Sequence, residues 1–209
     1  LAGEDAPTGD SRVLQVAAAE QTFDFVNLAA EPVPSLLRDF SAPVKLHYPY
    51  GREQLAFLFA HDGDAFNRWE AGQRLAADVI LEMAADVEDG WKPQVPEVFF
   101  AAFRAALIDR DADPALLALA LTMPGEAELA EAMVPADPGA IHQARSGLRL
   151  ALAEALEDEF AAVMAAMGDD GLYSLAPEAI GRRSLKNCCL GYLSLLCSQR
   201  WSSACFEQF

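Results

Sequence analysis

Between Ser41 and Gln73 the hydrophobic period of this chain changes, and the change divides it in two. Over residues 42–48, Val44, Leu46 and Tyr48 alternate with Lys45 and His47, a period of about 2 that predicts a strand. Pro49 and Gly51 interrupt it. From Glu53 the period becomes helical, with Leu55, Leu58 and Phe59 at i, i+3 and i+4. Asp64 is placed to cap the next helix, along which Phe66, Trp69, Gln73, Ala76, Ala77 and Ile80 share one side. Trp69 is therefore expected in the core. A chain that switches in this way builds a β part first and an α part after it.

Residues 12–17 and 21–28 read as further strands, the second with Phe23 and Phe25 on one face. Val33, Leu36 and Leu37 form a short, irregular third, because Pro32 and Pro34 cannot donate to a ladder. Four short strands do not close a sandwich, which takes about seven. Residues 1–50 are thus expected to be terminal strands of an incomplete β-sandwich, with partner strands before Leu1. The lack of an initiator Met points the same way. Open strand edges are expected to leave this part poorly ordered or to recruit the same part of a second copy.

Residues 51–209 are expected to form an α-helical domain, with helices at 52–61, 64–88, 95–109, 114–121, 126–133, 138–167 and 177–197 and a last one from about 202. Asp113-Pro114 and Asp137-Pro138 each place a cap before a proline at the first helical position. Ile141, Ala144, Leu148, Leu152, Ala155, Phe160, Val163 and Met167 make one stripe along the longest helix, which Gly168 and the turn Asp169-Asp170-Gly171 end. Short connections between helices predict an α-solenoid or irregular helical superhelix, with no strict repeat period. The fold class is mainly α with a small N-terminal β portion.

Fifteen basic against 32 acidic residues leave a net charge of −17, which opposes binding to nucleic acid or an anionic membrane. No apolar run is long enough to span a bilayer, and residues 1–11 lack the charged-then-apolar order of a leader. Cys188, Cys189, Cys197 and Cys205 follow no zinc spacing and read as small core residues in a reducing cytoplasm. His47, His61 and His142 are far apart and make no HExxH; they read as a strand-face, a helix-end and a first-turn residue. There is no GxSxG, Walker loop or GxGxxG. Glu154, Glu157, Asp158 and Glu159 read as a solvated outer face. Arg182, Arg183 and Lys186, near a helix start, are expected to pair with local carboxylates; the alternatives are a substrate carboxylate or the acidic surface of a neighbouring domain. No catalytic, cofactor-binding or metal-ligating residue can be assigned.

The segments QTFDFVNL, PVPSLLRDFSAPVKLHY, LAFLFAHDGDAFNRWEAGQ, FRAALIDRDADPALLALALTMPGEAELAEAM, DPGAIHQARSGLRLALAEALEDEF and RRSLKNCCLGYL resemble, in this order, the C-terminal half of the bacterial aminopeptidase N family of zinc metallopeptidases. The resemblance runs from about Arg12 to about Leu196 and is weaker over residues 197–209. It implies the end of a small β-sandwich followed by the first part of a large helical domain. In that family the zinc ligands lie in an HExxH helix and a downstream Glu, and a GxMEN segment holds the substrate N-terminus. Neither motif occurs here, so the resemblance transfers no catalytic or metal residue to this chain, which is expected to be inert. What it implies is a scaffold and lid over the catalytic cleft, with zinc in the parent, and as partners the catalytic domain of the same parent chain and the parent's peptide substrates. The rival reading is an independent α-solenoid module that binds peptide or protein without peptidase activity.

Overall fold

A computed structural model of the chain describes residues 11–168, 171 and 173–208. They fall into two units, Leu1–Pro34 and Ser35–Phe209. In the first unit, described residues 11–34 form neither helix nor strand. The strands expected at 12–17, 21–28, around Val33–Leu37 and at 42–48 are corrected accordingly, since all four segments lack strand pairing. Alternation makes one face apolar, but a strand needs a neighbour for its backbone groups. Here a side chain supplies part of that bonding. Gln21 Oε1 accepts from the Ala17 N–H at 3.0 Å and its Nε2 donates to the Gln15 carbonyl at 3.1 Å, drawing residues 15–21 into a turn. Val13, Val16 and Phe25 are exposed.

The second unit is mainly helical. Its described residues form α1 (Arg52–His61), α2 (Ala65–Glu88), α3 (Glu97–Leu107), α4 (Pro114–Ala120), α5 (Glu126–Ala132), α6 (Pro138–Ala155), α7 (Glu157–Ala166), α8 (Pro177–Leu193) and α9 (Gln199–Gln208). The caps read from the sequence are formed. The Asp64 carboxylate accepts from the Asn67 N–H, Asp113 from Ala115 and Leu116, and Asp137 from Gly139 and Ala140. Each satisfies donors that the first helical turn leaves open.

Helix α1 packs on α2 and α3, α2 on α4 and α6, and α8 on α4, α6 and α7. Leu55, Leu58 and Phe59 are buried as their spacing predicted. Phe103 of α3 lies at the centre of the core, with ring centroids 6.1 Å from Phe59, Phe99 and Phe160 and 5.7 Å from Tyr192. Phe160 and Tyr192 stack at 4.6 Å, joining α7 to α8.

Four helix expectations are revised. The buried face of α2 runs through Arg68, Ala71, Gly72, Leu75, Ala76, Val79 and Ile80. Ala76 and Ile80 lie on it as read, whereas Phe66 is exposed and Trp69 only half-buried. The cause is tertiary: a Cβ on Gly72 would come within 2.8 Å of the Phe59 ring, so α1 settles over the glycine rather than over the aromatics. The single helix expected at 138–167 breaks at Leu156 (φ −123°, ψ 26°), and Ala155 is exposed. Glu157, Asp158 and Glu159 fill the first turn of α7, where the helix dipole favours acidic groups. The helix expected at 177–197 ends at Leu193, followed by a 3-10 turn (Ser194–Leu196) and by Cys197 in the left-handed region (φ 50°). The last helix begins at Gln199 rather than near 202. The expected turn Asp169-Asp170-Gly171 lies largely outside the described residues.

Candidate functional site

The most distinctive polar segment, HDGDAFNR, turns from α1 into α2. Asp62 Oδ1 accepts from Arg38 at 2.7 Å and from the Asp64 N–H at 2.9 Å. Asp64 caps α2 with Oδ1, and its Oδ2 accepts from the Asp39 N–H at 2.9 Å. Asn67 Nδ2 donates to Ser35 Oγ and to the Leu36 carbonyl, both at 2.9 Å. These bonds hold residues 35–40 in a strained course, with Leu37, Asp39 and Phe40 all at φ between 52° and 56°. Left-handed backbone costs a non-glycine residue about 1 kcal/mol. Arg68 Nε donates to the Phe59 carbonyl at 2.9 Å, Nη2 to the Ala60 carbonyl at 3.3 Å, and Nη1 to Asp109 at 2.6 Å. One side chain thus satisfies the open C-terminal carbonyls of α1 and ties them to the end of α3. Asp62 Oδ2 is buried without a hydrogen-bond partner among the described residues.

Two hollows flank α4. The first, about 600 Å³, is lined by Asp62, Arg68, Asp109, Asp111, Asp113 and Leu116, among others. Its charges are largely engaged: Asp109 binds Arg68 and accepts from the Asp111 N–H at 3.0 Å, and Asp113 caps α4. The Arg68 donor holds the Asp109 carboxyl below its usual range. Burial by itself would raise Asp64, but N–H groups of Asn67 and Asp39 outweigh it and its carboxyl also titrates low.

The second hollow, about 700 Å³, lies between α4, α6 and α8. Arg145, Arg149, Ser184, Asn187, Cys188 and Tyr192 supply its chemistry, and no carboxylate among the described residues lines it. Arg145 Nε donates to the Pro124 carbonyl at 2.7 Å and Nη2 to that of Met123 at 3.5 Å. Arg149 reaches the Gly191 carbonyl at 3.5 Å and lies over the Tyr192 ring, 5.6 Å from its centroid. Burial pushes the Cys188 thiol up to about 11, so it stays neutral near pH 7. The buried Tyr192 hydroxyl donates to the Leu121 carbonyl at 2.6 Å.

The structure separates the three histidines. His47 is exposed and not in a strand; His61 ends α1 beside Phe57; His142 sits in the second turn of α6 rather than the first, its Nδ1 2.9 Å from Glu126. The acidic run is not wholly solvated. Glu157 accepts from the buried Trp201 indole at 2.8 Å and Glu159 pairs with Arg104 at 2.7 Å. Arg182 donates to the Gly168 carbonyl and Arg183 to that of Ser174, and Arg183 also lies over Tyr173. All four cysteines are free thiols. Among the described residues no three His, Cys, Asp or Glu side chains gather as a metal site. No described helix is long and apolar enough to cross a membrane.

A family described as a domain of unknown function with ARM repeats (DUF3458_C) matches residues 52–209, and one described as a domain of unknown function with an Ig-like fold (DUF3458) matches residues 1–49. Aminopeptidase N of Escherichia coli (strain K12) is 43% identical over 182 residues, 87% of this chain and 21% of that protein. Aminopeptidase N of Caulobacter vibrioides is 40% identical over 195 residues, covering 93% and 22% respectively. The crystal structure of Legionella pneumophila aminopeptidase A in complex with aspartic acid superposes with a TM-score of 0.72 at 31% identity, over 89% of this chain and 22% of that one. The chain spans about a fifth of the length of these relatives.

Proposed function

The chain belongs to the DUF3458_C family of ARM-repeat domains, and from that premise we propose that it serves as the helical scaffold and lid of a zinc-dependent aminopeptidase N, which removes N-terminal residues from peptides. The observation that carries this reading is the match to aminopeptidase N sequences over nearly the whole chain. The chain itself then contributes no zinc ligand and no catalytic group. Its work is packing and the restriction of access to a cleft built elsewhere. Its partners are the catalytic domain of the same parent chain and the parent's peptides, and residues 1–50 complete a sandwich with strands outside this sequence or with a second copy. An apolar surface supports such docking: Phe40 and Phe66 are exposed with ring centroids 4.5 Å apart, and Trp69 lies 5.5 Å from Phe66. A cytoplasmic location accords with four unpaired cysteines.

A chimera tests the reading. This chain would replace the matching segment of the E. coli enzyme, beside a version with that segment deleted. The expected result is that the chimera hydrolyses alanyl reporter amides and spares folded proteins, while the deletion loses stability or that selectivity. A deletion as stable and as selective as the intact enzyme would refute both scaffold and lid. Binding of peptides by the isolated chain, with no activity in a folded chimera, would favour the independent module.

A further inference from the structure

The hollow between α4, α6 and α8 has a property that charge composition makes improbable. The chain carries 32 acidic residues against 15 Lys and Arg, yet among the described residues this hollow is lined by two arginines and no carboxylate. Arg145 and Arg149 stand at i and i+4 on α6, so they rise from the same face of the helix. Each guanidinium carries five N–H donors. Arg145 commits two of them to the Pro124 and Met123 carbonyls, and Arg149 one, at 3.5 Å, to Gly191. The Tyr192 ring beneath Arg149 adds a flat support. The remaining donors have no acceptor among the described residues.

We propose that this hollow binds a small oxyanion, a carboxylate or a phosphate, between the guanidiniums of Arg145 and Arg149. Its volume of about 700 Å³ falls in the range of small-molecule sites. A planar guanidinium grips either oxyanion through paired N–H donors. Bonds to backbone carbonyls orient both arginines before the anion arrives, without neutralising them. Ser184 and Asn187 of α8 add neutral polar groups to the lining. The Cys188 thiol, neutral near pH 7, does not compete as an anion. The inference is independent of the peptidase reading, since it uses only groups of this chain.

The test is calorimetric titration of the whole 209-residue chain at low ionic strength with inorganic phosphate, with succinate and with chloride. The expected result is saturable one-to-one binding of phosphate or succinate, weakened about tenfold or more in R149Q. R110Q removes the same charge from an exposed position and is expected to bind as the unaltered chain does. Phosphate alone would assign a phosphate ligand, succinate alone a carboxylate one, and both a general oxyanion site. If R145Q fails to fold for want of its carbonyl bonds, R149Q and R149K carry the test. R149K keeps the charge but loses the fork, and is expected to bind with intermediate affinity. Binding of neither anion more tightly than chloride, or equal binding by R149Q and the unaltered chain, overturns the proposal.

Discussion

The two hollows beside α4 hold charge in opposite ways. In the acidic one, Arg68 is enclosed and its bonds to described residues serve the fold: two carbonyls of α1 and the Asp109 carboxylate. In the basic one, the hydrogen-bond and ring partners of Arg145 and Arg149 among the described residues are carbonyls and one tyrosine ring. Arg68 therefore has little left for a ligand, whereas the arginine pair carries charge that the fold has not neutralised. Low exposure and short ion-pair distances mark groups that hold elements together, and oriented but uncompensated charge in a hollow marks groups free to bind.

The contrast is most open to challenge at Arg68. Arg68→Met keeps the aliphatic bulk and removes three hydrogen bonds. It is expected to destabilise the second unit by about 3 kcal/mol, the low end for breaking a buried ion pair, because Asp109 keeps partial access to water. A loss under about 1 kcal/mol in urea unfolding would make Arg68 no more structural than the other pair. Arg38→Gln comes next. Asp62 is 1% exposed at its side chain and Arg38 is its cationic partner, so removal is expected to cost about 2 kcal/mol. It should also release residues 35–40 to proteolysis, since Arg38 helps to hold their left-handed turn. Unchanged cleavage would show that Asn67 and Asp64 suffice.

Acid sharpens the comparison further. Asp64 and Asp109 titrate below the ordinary carboxylate value of 3.8. The folded state binds their protons more weakly than the unfolded chain does. The stability they contribute is full above that ordinary value and is lost as the pH falls through their lowered ones. Urea midpoints should therefore drop below about pH 3.8, and less steeply in Arg68→Met, where Asp109 loses its donor. An equal acid slope in both chains would mean that Asp109 contributes little.

How much of this was legible beforehand varied with the range of the forces. The caps at Asp64, Asp113 and Asp137 and the buried face of α1 were readable because they depend on neighbours within a turn or two. The face of α2 was not. Phe66 and Trp69 are the larger side chains, but Gly72 is where α1 can approach, and nothing local says so. The break at Leu156 has no proline or glycine to announce it; the acidic triplet that follows was the available signal. Strand periodicity in residues 12–48 was real as a pattern, but pairing depends on partners that a pattern does not contain. Within the segment HDGDAFNR only the Asp64 cap was readable, and its polar groups bind the chain's own backbone and Arg38. The spacing of Arg145 and Arg149 was visible, but the absence of a facing acid is set by α4 and α8, about thirty to forty positions away.

The smallest expected effect concerns Arg149 and stability. Its one carbonyl contact, at 3.5 Å, lies at the long limit for a hydrogen bond, and its side chain is only half-buried. Stacking over Tyr192 at 5.6 Å contributes about 0.5 kcal/mol at a partly exposed site. Against this stands the cost of holding an unneutralised guanidinium near the buried ring, which Gln relieves. The two nearly cancel, and Arg149→Gln is expected to change unfolding free energy by no more than about 0.5 kcal/mol. Added phosphate or succinate should then raise the melting temperature of the unaltered chain, because a ligand that binds only the folded state stabilises it by mass action. The same additions should leave Arg149→Gln where it was. If Arg149→Gln instead unfolds as readily as Arg68→Met, then Arg149 is a structural residue like Arg68, and the distinction between the two hollows fails.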